Sequence, residues 1–426
     1  NGKLNENVFA YSNMAGGERA LICYHNKYEE TAGWIMHSVG KTTSTTGDEE
    51  GKKVIHRTLG EALHIRREDA YFYIFKDHKT NLEFIRSGIE LHDRGLFVEL
   101  KAFHYHIFLD FREVHDATGE YRSLAHHLNG NGVANMNSAL RNLKLAPLHR
   151  AFEQLFTDAS LEHLTTLCAE HSTSKQLETS RKALSSGYAD FLDRLQHHET
   201  KKLSKTIVLK NFENDLHALH ILNNRPFADI DASFDKKFRK SIMSINKFSQ
   251  CQFGSAVVMM VSIMMNSLED FKVKSAEGIS SENMFVRIGI DDALRVILDL
   301  QNCSEQDRNA IIQLIRALIM QPNPMDDPEQ IREIIRQLLE QELVQQFLIV
   351  NRHENILYFN KERLDLMLHW WFWLVSISII QSYKIPEAYK ILAQTMKVVE
   401  KLHHSAEISG FKLEDFRNEI KQRRLK

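Results

Sequence analysis

His104 and His106 stand two apart in "FHYHIF", a spacing that puts both rings on one face of a strand. Two imidazoles so placed can share a metal ion, but a third ligand is required. None stands nearby in the sequence, so the pair reads as packing or surface histidines of an aromatic strand. His217 and His220, three apart in "DLHALH", would face one metal from a helix. The chain has 22 His, so such pairs arise by chance, and the doublets at 126–127, 197–198 and 403–404 sit in no HExxH setting. "FLDFREV" (108–114) offers Asp110, Arg112 and Glu113 as an acid pair with a cation. Asp110 and Arg112 share a strand face at spacing two, so a local ion pair is the plainer expectation.

The aromatic residues point to a different chemistry. Indole faces stack on sugar rings, and "HWWFW" (369–373) is the densest aromatic run. On a helix, however, four successive aromatics point all round, as in a buried central helix. Tyr28 and Trp34, beside an expected hairpin, are the exposed candidates for contact. "GNGVANMN" (130–137) has glycines but neither GxGxxG nor GKT, and reads as a loop with a helix cap. "KQRRLK" (421–426) reads as a solvated helix end. No catalytic residue, metal ligand or cofactor site is expected.

These residues need elements to hold them. Four runs carry strand character: 19–26, 69–77, 80–88 and 95–114. The last opens with period-two alternation, Leu96, Val98, Leu100, Ala102, His104 and His106 on the apolar side and Phe97, Glu99, Lys101, Phe103 and Tyr105 on the other. Residues 40–53 form a Gly-, Thr- and charge-rich loop. Past about Asp116 apolar residues recur at three and four. Pro147, the first of six prolines, suits the first turn of a helix over 147–156. Further helices are expected at about 160–171, 175–197, 199–222, 234–248, 254–271, 290–302, 304–320, 328–350, 360–381, 386–406 and 412–424, with a break at "PNPMDDP" (322–328). The fold expected is α+β and multidomain: an antiparallel β-sandwich over 1–115, a linker over 116–134 and a large all-α domain over 135–426.

Composition narrows the classes. The chain has 426 residues, 43% hydrophobic and 26% charged, enough for more than one core. A net charge of −2 gives no field for nucleic acid or an anionic membrane. Four widely spaced Cys argue against a disulfide framework or a thiolate zinc site and fit a reducing, cytoplasmic setting. A spanning helix needs about 20 mostly apolar residues. "AVVMMVSIMM" (256–265) is too short, and "LMLHWWFWLVSISII" (366–380) carries His369 between Asp365 and Lys384. Both read as buried helices, and no membrane partner is expected.

The opening stretch also carries a resemblance. Val8-Phe9-Ala10-Tyr11, then Gly17-Glu18-Arg19, then Ala20-Leu21-Ile22-Cys23-Tyr24-His25-Asn26 resemble the early strands of the β-sandwich that follows the barrel in α-amylase-type enzymes of glycoside hydrolase family 13. Tyr28, Glu29–Thr31, Gly33-Trp34-Ile35, Phe108-Leu109-Asp110-Phe111-Arg112-Glu113-Val114 and "YFNKERLDLMLHWWFWL" (358–374) are similar to very large bacterial members with a helical tail. The resemblance implies a non-catalytic C-terminal portion of a hydrolase or glucanotransferase acting on α-glucans. Its partners would be its own catalytic barrel, expected to precede Asn1, and an α-glucan. Tyr28 and Trp34 would contact the glucan or the barrel. Retaining hydrolysis needs two carboxylates about 5–5.5 Å apart, and no β/α series long enough for a barrel is present. Two readings of other classes stand beside it: a free-standing helical interaction or scaffold protein without a carbohydrate role, and a metal enzyme using His217 and His220.

Overall fold

A computed structural model describes residues 4–44, 52–199, 204–245, 253–268, 281–320 and 328–422. The architecture is α+β, an antiparallel β region followed by a large helical one. The chain divides into two compact units, Asn1–Lys144 and Leu145–Lys426.

The first unit is built on a five-stranded sheet. Strands β1 (Val8–Ala15) and β2 (Glu18–His25) form a hairpin. It turns through Gly16 and Gly17, both at positive φ (57° and 89°), a conformation glycine adopts without steric cost. After β3 (Thr31–Ile35), β4 (Lys41–Ser44), β5 (Lys52–Ile55) and helix α1 (Leu59–Ala62) come β6 (Tyr71–Asp77) and β7 (Glu83–Ser87). Helix α2 (Gly88–Asp93), β8 (Leu96–Leu100) and β9 (Tyr105–His115) follow. The sheet runs β1-β2-β9-β6-β7, antiparallel at every step.

One face of this sheet forms a sandwich with the two-stranded ribbon β3–β8 and helices α1 and α2. Leu21, Cys23, Tyr73, Phe75 and Phe108 from the sheet meet Leu96, Val98 and Leu100 from the ribbon and Leu59, Leu63 and Leu91 from the helical side. The alternation in "LFVEL" drives this, because every second residue of β8 is buried. The opposite face carries Phe72, Ile74 and Ile85, covered by Leu124 of α3 (Glu120–Leu128) and Met136 of α4 (Met136–Glu153). Helix α3 thus lies within the segment expected as a linker.

That helical cover extends over only part of the face. Leu21 pairs with Phe108, and both lie in the sandwich core. Their neighbours in register, Ile22 with Ile107 and Tyr24 with Tyr105, therefore point to the other side, as do Phe9 and Tyr11 opposite Tyr24 and Ile22. Phe9, Tyr11, Ile22 and Tyr105 are exposed there.

The second unit is helical. Helices α5 (Asp158–Cys168), α6 (Ser174–Gln196), α7 (Lys205–Asn223), α8 (Ala232–Ser244), α9 (Gly254–Ser267), α10 (Ser281–Arg287), α11 (Ile290–Leu300), α12 (Glu305–Ile319), α13 (Pro328–Leu338) and α14 (Glu342–Phe347) lead to α15 (Lys361–Ser382), α16 (Ile385–Ile408) and α17 (Leu413–Gln422). Helix α15 is the centre, packed by α7, α8, α12 and α16. Among the described residues it is the one helix long and apolar enough to cross a membrane. Its Trp370, Trp371, Phe372 and Trp373 are buried within the helical core.

Four local expectations need correction. Pro147 lies inside α4 rather than at a helix start; its missing N–H forfeits one bond, which a helix continuing from Met136 tolerates at a cost. The strand expected over 95–114 is split, because Phe103 turns the chain at φ 53° between β8 and β9. The helix expected over 328–350 breaks between α13 and α14. A hairpin follows, β10 (Asn351–His353) with β11 (Ile356–Tyr358). Its turn residues Glu354 and Asn355 both have positive φ (46° and 65°), the geometry of a tight hairpin turn without the Asn-Gly signal. The segment expected as a loop, 40–53, holds β4 and the start of β5, which pair antiparallel, with 45–51 outside the described residues.

Candidate functional site

The outward face of the β3–β8 ribbon is the candidate contact site. In β3, "TAGWI", Ile35 points to the sandwich core and Trp34 points out; in β8 Phe97 does the same between buried Leu96 and Val98. Register places Trp34 directly across from Phe97. Their ring centroids lie 5.3 Å apart, edge to face, and the two side chains are 36% and 40% exposed. The Arg94 guanidinium sits 4.4 Å from the Trp34 ring centroid, a cation on an aromatic face.

Local backbone geometry holds Arg94 there. It caps the C-terminus of α2, donating its N–H to Glu90 O at 2.8 Å. Gly95 follows at φ 77°, and a Cβ on it would lie 1.9 Å from Ile35 O. Only glycine lets the chain turn this tightly from helix into strand against β3.

Tyr28, 86% exposed, pairs with a different ring, Phe103, at 6.3 Å. Phe103 N–H donates to Lys27 O at 3.2 Å and His25 N–H donates to His104 O at 2.9 Å, which ties the two loops together. Tyr28 and Trp34 therefore each stand in a separate aromatic pair. Phe97, Phe103 and Arg94 complete the surface. Strand alternation placed Phe97 and Phe103 on the outer side; nothing local marked Arg94. These groups offer apolar ring faces and a fixed cation.

The remaining constellations are absorbed by the fold. His104 directly precedes β9, in which His106 lies. His106 Nδ1 lies 2.9 Å from Asp77 Oδ2 and its Nε2 lies 3.2 Å from Glu99 O, so both ring nitrogens are engaged within the chain. Burial pushes the Asp77 carboxyl up, but hydrogen bonds from His106, Thr80 and Lys79 N–H outweigh it and hold it below its usual range. His104 is shifted down by desolvation and by Lys79 and Lys101.

Asp110 and Arg112 do not pair as spacing suggested. Asp110 has φ 55° at a bulge, where the register with β6 slips between Ile74 and Lys76. Arg112 instead donates to Glu83 at 2.7 Å, and Glu113 accepts from Tyr73 OH at 2.6 Å and Arg66 Nε at 3.1 Å. No acid pair forms from these residues.

His217 is shifted down by burial and by Arg181 and His220. His220 Nδ1 lies 3.3 Å from Leu167 O. Among the described residues no group of three His, Cys, Asp or Glu could hold a metal ion. The glycine-rich run at 130–137 straps the β7 edge: Val133 bridges Glu83, and Gly130 O accepts from Arg86 at 3.0 Å. The Met136 N–H at the start of α4 already donates to Glu83 at 2.6 Å. Residues 423–426 of the basic end lie outside the described residues.

Cys303 is disulfide-bonded. Cys23 and Cys168 are free, and burial pushes both thiols up to about 12, which keeps them unreactive.

The chain matches no protein-family model, no curated protein and no solved structure.

Proposed function

We propose that this chain is a non-catalytic portion of an α-amylase-type hydrolase or glucanotransferase, and that its β unit acts by contact. The observation that carries this is the outward aromatic surface of the β3–β8 ribbon, with Trp34 across from Phe97 under the Arg94 guanidinium. The resemblance to the post-barrel sandwich supports the parent enzyme, and its residues run through the strands that carry or flank this surface. Exposure supports contact as the role. Of the 22 exposed large hydrophobic side chains among the described residues, 13 lie between Leu4 and Tyr105, so the β unit carries more than half of them. In this reading the ribbon takes the apolar face of an α-glucan held by the neighbouring catalytic barrel.

Electrophoresis of the chain through gels with and without glycogen tests the reading. Retarded migration in glycogen is expected, lost in Trp34→Ala, with no reducing sugar released by the chain alone. Unchanged migration of the parent chain would remove the glucan role, and release of reducing sugar would remove the non-catalytic one.

A further inference from the structure

Strand β1 is the outer edge of the five-stranded sheet, and among the described residues nothing pairs with its free side. The other edge, β7, is covered through the bridge between Glu83 and Val133. Natural sheets protect open edges with charges, prolines, bulges or short strands. Strand β1 has none of these, although helix α1 packs close to the strand. Its eight residues, "VFAYSNMA", contain no Asp, Glu, Lys, Arg or Pro, and its register with β2 is unbroken from Val8 to Ala15. Beside this edge lies the uncovered half of the outer sheet face, with Phe9 41%, Tyr11 63% and Ile22 39% exposed.

We propose that this edge is occupied by a second copy of the chain, β1 pairing antiparallel with β1 about a two-fold axis. Self-pairing sets each residue against the same strand, so a charged edge would meet its own sign. The absence of charge across Val8–Ala15 removes that obstacle. The axis stands perpendicular to the sheet, so residues facing each other share a side. A pairing centred on Tyr11 sets Phe9 against Asn13 of the other copy and the two Tyr11 rings side by side. The nearest charge before the strand, Glu6, then falls against Gly16 of the other copy and meets no like charge. The result is one ten-stranded sheet, isologous and closed at two copies. Its two uncovered half-faces join into a single aromatic surface. This surface is separate from the ribbon that carries Trp34, which lies on the other side of the sheet.

Sedimentation equilibrium of the intact chain tests the proposal. The expected mass is twice that of one chain at high concentration. Tyr11→Lys, at a mostly exposed side chain, sets two like charges together at the axis and weakens self-association at least tenfold. Tyr11→Cys, oxidised, gives a covalent dimer that the parent chain does not form under the same conditions, and this result decides the matter if Tyr11→Lys does not fold. A parent chain that stays monomeric, a dimer that Tyr11→Lys leaves unchanged, or open-ended oligomers beyond two copies would overturn it.

Discussion

His403 Nδ1 lies 2.7 Å from Asp365 Oδ1, joining α16 to α15 on the margin of the tryptophan-rich core. The contact is part of a larger arrangement. His369 Nδ1 approaches the Asp365 carbonyl at 2.6 Å, and the two imidazoles lie 5.5 Å apart. Burial pushes the Asp365 carboxyl up, but the His403 hydrogen bond and the charges of His403, Lys361 and His369 outweigh it and hold it below its usual range.

A carboxyl lowered in the folded state binds its proton later than in the unfolded chain, whose value is about 3.9. Its stabilisation is therefore whole above that value and is lost as pH falls through the lower folded one. Asp365→Asn should melt at a lower temperature than the parent at neutral pH. The two melting curves should converge as pH drops below about 3.9. A constant difference across the acid range in calorimetric scans would show that Asp365 contributes nothing through its charge.

Gly95→Ala tests how the aromatic ribbon is held. The new Cβ meets Ile35 O and the residue sits at φ 77°, so the substitution should cost about 2–3 kcal/mol. It should also displace Arg94 from the Trp34 ring, seen as a shifted indole emission. Urea unfolding that matches the parent would show that the turn relaxes without strain.

Trp373→Ala tests the centre of the helical unit. The indole is fully buried and lies edge to face with Trp370, 5.3 Å between centroids. Loss of about 3–5 kcal/mol is expected in denaturant unfolding followed by far-ultraviolet dichroism. A midpoint equal to the parent's would place this residue outside the cooperative core.

Much of the framework was legible in local pattern. The order of an antiparallel β region before a helical one follows from where period two gives way to period three and four. "LFVEL" declared which side chains of β8 enter the sandwich, and hence that Phe97 faces out. "HWWFW" declared a central helix, because aromatics on every side of a helix need neighbours on every side.

Other features required partners that lie far away in the chain. Asp110 and Arg112 have the spacing of a pair, yet a bulge set by β6 turns them apart and Arg112 finds Glu83. His106 meets Asp77, which lies 29 residues away, because β9 runs beside β6. Arg94 reaches Trp34 only because Gly95 folds α2 back onto the ribbon. The sequence by itself determined which face of each strand and helix is apolar, since that depends on the residue type at each step of a local period. Only the tertiary structure decided which strand became the edge, which half of the sheet face stayed bare and which charges met. Those outcomes depend on strand order and crossing, which no local period encodes.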